Sequence, residues 1–184
     1  MNLGGLNWID LIVMLALFTS IGIGFAQGML RQVIGIAALY IATILGAQYY
    51  TVLGNFIRAI IFQPTSRFLN VISFLIIVIA IWSLISWLAL DAYTSTKVHF
   101  FPLIDQLGGS LLALVSVTAM LVMVLPVIAF AVGDPWPGNE AIRANIQLGL
   151  ETSRLVPLIY DLKPLILSAL SPWLPAGLPS IFNL

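Results

Sequence analysis

Three aspartates and one arginine stand at the edges of long uncharged runs, where an ionisable group is either doing chemistry or holding a helix end. They are Asp10, Asp91, Asp105 and Arg31. A proton or ion pathway needs such groups at membrane depth, and these lie at the ends of the runs instead. Asp10 and Asp105 precede apolar helices, where the positive end of the helix dipole favours a carboxylate by about 0.3–1 kcal/mol. Asp91 follows a helix, where the dipole disfavours it, so it needs a partner or water. Arg31, between the first two apolar runs, is a candidate partner for Asp105 or Asp91.

The remaining reactive inventory is small. No cysteine is present and His99 is the single histidine, so neither a Cys-ligated metal nor a histidine ligand pair can be built. No catalytic, metal-binding or cofactor-binding residues are assigned, and the chain reads as a non-enzyme without cofactor. "GIGFAQG" has the glycine density of a dinucleotide loop, but no strand precedes it and it lies inside an apolar run. Seven basic residues balance seven acidic ones, which leaves no basic surface for nucleic acid.

The elements that position these groups are membrane helices. The 184 residues are 61% hydrophobic and 8% charged, with a mean hydropathy of +1.10; a soluble domain carries about a quarter charged residues. Four charge-free windows each hold about 20 residues or more, enough to cross a hydrocarbon core of about 30 Å. The expected fold is all-α and polytopic, with four transmembrane helices over about 8–26, 29–50, 69–93 and 108–132, together a membrane domain of residues 1–133. No Lys or Arg precedes the first run, so it reads as a retained helix and not a secretory signal. Trp8, Tyr49, Tyr50, Tyr93, Trp136 and Trp173 fall near span ends, as an aromatic belt requires, whereas Trp82 and Trp87 are expected between helices or facing lipid.

Residues 134–184 form the expected tail. "GDPWPGN" ends the fourth span, and Glu140–Arg154 places Arg143, Gln147, Glu151 and Arg154 on one stripe, an amphipathic helix suited to the membrane surface. Glu140–Arg143 and Glu151–Arg154 are i,i+3 pairs. Pro157 and Pro164 then bend the chain.

Ser20, Gly24 and Gly28 recur every fourth residue, as do Ala38, Ala42 and Gly46. Such rows admit close backbone approach, and the first two helices are expected to pack through them. Gly109 and Ala113 form a shorter row beyond Asp105. The bulky third span lacks one and is expected to face lipid or a partner.

"WID" entering an apolar helix, "GFAQGMLRQ" between the first two spans and "IDQLGGSLLALV" at the fourth resemble the colicin V production family of small bacterial inner-membrane proteins, over about Trp8–Val132 and more loosely in the tail. The resemblance carries over Asp10, Gly28, Arg31, Asp105 and Gly109; Gly24 joins them from the packing row. It also implies charged residues where this chain has Gln27, Gln32 and Gln106. The implied role is a scaffold or accessory in envelope secretion or homeostasis, in the inner membrane with both termini outside. Expected partners are the bilayer and other membrane proteins or further copies of the chain. A structural subunit of a larger respiratory or photosynthetic complex and a small oligomeric transporter component are the alternatives.

Overall fold

The structure, a computed structural model, describes residues 6–61, 66–93, 102–136 and 138–173. Helices α1 (Trp8–Gln27), α2 (Met29–Ile61), α3 (Ser66–Tyr93) and α4 (Pro102–Val132) are long and apolar on every side. Hydrocarbon offers no water to backbone N–H and C=O groups, so a segment of this composition must satisfy them internally, and the helix is the single-segment solution. Shorter helices follow: α5 (Glu140–Thr152), α6 (Leu155–Tyr160) and α7 (Lys163–Leu170), with a 3₁₀ turn at Ser171–Trp173.

The all-helical membrane class stands, but the count of four is corrected. Five stretches among the described residues are long and apolar enough to cross a membrane, the fifth being Leu155–Trp173. It comprises α6, α7 and the 3₁₀ turn, broken at Asp161–Leu162. Pro157 and Pro164 sit in the first turns of α6 and α7, where a missing N–H costs little. They bend the tail without stopping it from being helical, and Val156, Ile159, Leu167 and Leu170 are buried against α1, α2, α3 and α4.

Two span limits also shift. Helix α2 continues past Tyr50 to Ile61, because Gly54 packs against Asn70 and Ser73 of α3 and tertiary contact overrides its weak helix propensity. Helix α4 starts at Pro102, a favoured first helical residue, so Asp105 lies within its first turn and not before it.

The expected pairing of α1 with α2 is overturned. Helix α1 packs chiefly on α4 and α2 on α3, while α4 also contacts α2 and so lies between the first two helices. A single residue, Gly28, joins α1 to α2, and the corner it makes holds the first turns of α4. Gly24 and Gly28 of the first row therefore meet Gly109, and Gly24 also Ala113, while Gly46 meets Phe74 and Val78 of α3. Each long helix exposes large apolar side chains, and α3 is the least buried of the four: Ile76, Ile79, Leu84 and Trp87 are exposed, Trp87 at 64%, and Trp82 is exposed as well.

Helix α5 is strongly amphipathic, and its polar stripe is laced by hydrogen bonds. Arg143 Nε donates to Glu140 Oε2 at 2.7 Å, Arg143 Nη1 to Gln147 Oε1 at 3.2 Å, and Gln147 Nε2 to Glu151 Oε1 at 3.0 Å. The helix ends at Thr152, so i,i+3 spacing no longer brings Arg154 to Glu151, and no ion pair joins them among the described residues.

A Cβ on Gly109 would meet the Gly24 carbonyl oxygen and lie 2.7 Å from the carbonyl carbon of Gly28, all backbone that cannot step aside. Gly109→Val is expected to destabilise the protein by about 1–3 kcal/mol or more, whereas Gly35→Ala, with open space around it inside α2, should not lower thermal stability in detergent and gains up to about 1 kcal/mol of helix propensity. A second outcome concerns acid. The hydrogen bond from Arg143 holds the Glu140 carboxyl below its usual range. Its contribution is present above the unfolded-state pKa and lost as pH falls through the lower folded value. Acid titration of α5 helicity should therefore show a late transition that moves up toward the ordinary glutamate range in Arg143→Gln.

Candidate functional site

Of the six positions singled out, four converge. The backbone turns from α1 to α2 at Gly28, whose φ of +80° is the left-handed region that favours glycine. Its N–H donates to Gly24 O at 3.0 Å and closes α1. The next N–H, that of Met29, begins α2 with no carbonyl behind it, an orphan donor of the kind every helix start leaves. Asp105 supplies the acceptor: Met29 N donates to its Oδ1 at 2.8 Å. The same carboxylate lies where a Gly28 side chain would project, and Gly109 fits beneath, against the backbone of Gly24 and Gly28. Gly24, Gly28, Asp105 and Gly109 thus form one corner in which α4 caps α2.

Asp105 was expected to serve its own helix or to pair with Arg31; it stands in the first turn of α4 and in addition caps another helix. Arg31 stands two residues beyond Met29, is exposed, and makes no ion pair with Asp105 among the described residues. The side chain of Asp91, and Lys97 and His99 altogether, lie outside the described residues. Across the corner Gln32 Nε2 donates to Gln27 Oε1 at 3.1 Å, so an amide pair bridges the end of α1 and the start of α2. Ser110 Oγ adds a longer bond from α4 to Ile21 O of α1, at 3.2 Å.

Asp10 lies at the other end of α1, about 25–30 Å away by helix rise, and is fully buried. It closes a reciprocal box on its own helix: Asn7 Oδ1 accepts from Ile9 N (2.7 Å) and Asp10 N (3.1 Å), and Asn7 N donates to Asp10 Oδ2 at 2.9 Å. Its other oxygen reaches across the chain. Oδ1 accepts from Ser153 Oγ at 2.5 Å and from the backbone N–H groups of Arg154 and Leu155, each at 3.0 Å. Asn7 Nδ2 donates to Gly149 O and to Thr152 Oγ1, which holds the end of α5. One carboxylate therefore ties the starts of α1 and α6 to the end of α5. Sequence reading missed Asn7 and Ser153. "NWID" carries the Asn-x-x-acid spacing that signals the first of these bonds; nothing local signals Ser153.

Elsewhere in the bundle, the buried Thr43 and Ser73 hydroxyls donate to Leu39 O and Leu69 O within their own helices. Among the described residues no group of three or more His, Asp or Glu could hold a metal ion.

These features define a class: a polytopic helical membrane protein whose long helices α1 and α4 carry their carboxylates in their first turns. Within it the chain belongs to the colicin V production protein family, whose model matches residues 9–164 and so takes in α5 and α6 as well as the four long helices. No curated protein and no solved structure matches the chain significantly. The family is not a known enzyme family.

Removing the acceptor at Asp10 strands several buried donors, each at a cost of about 1–3 kcal/mol; Asp10→Ala is expected to lose more than about 3 kcal/mol in a denaturation series. At Asp105 an amide oxygen can stand in for the acceptor and only the charge at the helix start is lost, so Asp105→Asn should cost about 0.3–1 kcal/mol, and Asp105→Ala, which loses both, about 1–2 kcal/mol. With no ion pair between them, Asp105→Ala and Arg31→Gln are expected to add to within about 0.5 kcal/mol. A larger coupling energy would show that the two charges pair.

Proposed function

We propose that this protein is a non-catalytic scaffold or accessory in envelope secretion or homeostasis, seated in the bacterial inner membrane with both ends on the extracytoplasmic side. The observation that carries the reading is the use made of its carboxylates. Asp10 and Asp105, the acids of the long helices whose side chains are described, accept backbone N–H groups from other helices, so they act as fasteners that fix how the helices sit. A scaffold needs a rigid frame and a free contact surface. The frame is the bundle joined at these two carboxylates; the surface is α3, whose Ile76, Ile79 and Trp87 are turned outward. Family membership supports the secretion setting. The bonds from Ser153 and Arg154 to Asp10 bring the start of α6 to the face where α1 begins, and Gln48 Nε2, in the half of α2 far from the corner, donates to Trp173 O, so a broken stretch that dips in from that face and returns to it suits an arrangement with both ends on one side.

Solubilisation in mild detergent from the native membrane, followed by affinity capture of the tagged chain, tests this. The expected result is one or a few envelope proteins at fixed stoichiometry, lost in Ile79→Ala/Trp87→Ala. A homo-oligomer that moves solute across liposomes would replace the scaffold with a transporter. Recovery inside a large respiratory or photosynthetic assembly would make it a structural subunit.

A further inference from the structure

A cavity of about 190 Å³ opens beside the α1–α2 corner, between α2, α3 and α4. Its size exceeds by far the roughly 15 Å³ that a single water needs. The polar groups on its wall are Arg31, Gln27, Gln32, Ser86 and Ser116, with Trp82 alongside. Among the described residues no carboxylate lines it. Arg31 brings a guanidinium with five N–H donors and makes no ion pair among the described residues. Gln27 already accepts from Gln32 through its Oε1, which leaves its amide nitrogen to donate. Ser116 brings a hydroxyl from the middle of α4 and Ser86 one from the last turns of α3, both half-buried. Ile34, Gly35 and Ala89 complete the wall.

A donor-rich, positively charged recess that reaches from an exposed arginine into a helical bundle fits an anion whose oxygens can take a planar fork of N–H groups. We propose that this cavity binds a phosphate group, seated on Arg31 and steadied by Gln27, Ser86 and Ser116. Phosphate reaches such a site either on an anionic phospholipid or as the free ion. The recess lies within the spanning helices and the partly exposed Trp82 borders it, a surface that an acyl chain can cover. The assignment is independent of the scaffold role, since a scaffold without a bound anion and an anion site without partners are both self-consistent.

The test uses the full chain in detergent and native mass spectrometry with added phosphatidylglycerol, diacylglycerol, which lacks the phosphate, or inorganic phosphate. Phosphatidylglycerol should be retained about tenfold more strongly than diacylglycerol, the scale of one charge-assisted hydrogen bond. Arg31→Gln should abolish that preference. Ser116→Leu, which fills the recess and leaves the charge in place, should weaken binding as well, with melting temperatures confirming that both variants fold. Retention that excess inorganic phosphate does not disturb identifies a lipid phosphate. Displacement by inorganic phosphate, with a rise in melting temperature in the parent chain and none in Arg31→Gln, identifies the free ion. Equal retention of both lipids together with no thermal response to phosphate overturns the proposal, as does an Arg31→Gln protein that binds like the parent.

Discussion

A helix that ends in or beside a bilayer leaves backbone groups that water cannot reach, and meeting that demand organises the whole molecule. Each helix start exposes N–H groups without carbonyl partners, and in hydrocarbon each one left alone costs several kcal/mol. Asp10 meets the demand at two starts together. Its Oδ2 takes the N–H of Asn7 ahead of α1, and its Oδ1 takes the N–H groups of Arg154 and Leu155 at α6. Because these groups lie more than 140 residues apart in sequence, a local capping requirement becomes a long-range tie. Asn7 completes it by donating to Gly149 O and Thr152 Oγ1. The surface helix α5 and the bent tail are thereby anchored to the first span, and Val156 and Ile159 can bury against Ile9 and Val13.

The corner at the opposite end solves the same problem in a tighter space. With one residue between α1 and α2, neither helix has room for a loop that could bring its own cap. Helix α4 fills the gap. Small residues let its backbone touch that of Gly24 and Gly28, and that close approach carries Asp105 within bonding distance of Met29 N. Packing and capping depend on each other here: a side chain at Gly109 would lift α4 away and take the carboxylate with it, while the absence of the carboxylate would leave the start of α2 unsatisfied at the contact.

Much of this was legible in the sequence, and what was not has a physical cause. Hydropathy located the four long helices because the bilayer imposes their length. The small-residue rows announced close contact but not with whom, since a glycine row fits any helix that presents another; pairing α1 with α2 followed chain order, whereas the one-residue link splays them and admits α4. Asp105 showed itself as a helix-end acid, yet the end it serves is 76 residues away in the chain. Pro157 and Pro164 read as bends, and their places in the first turns of α6 and α7 depend on where the preceding helix stops. Ser153 was invisible because a serine before an apolar run is unremarkable until the carboxylate it meets is placed.

The glutamines at the corner make a neutral bridge. The family resemblance implies charged residues where Gln27 and Gln32 stand, five residues apart on either side of Gly28. In this chain the two amides hydrogen-bond to each other at 3.1 Å, which keeps the bridge and removes both charges. A neutral pair avoids much of the desolvation that an ion pair suffers next to hydrocarbon, so the exchange preserves the shape of the corner. It also alters the field there: with the bridge uncharged and Asp105 engaged by Met29, the positive charge of Arg31 faces the neighbouring recess without an ion-pair partner among the described residues. Among the described residues Arg31 is thus the one charged group on the wall of the recess, which is the arrangement an anion from the membrane or the solvent would meet.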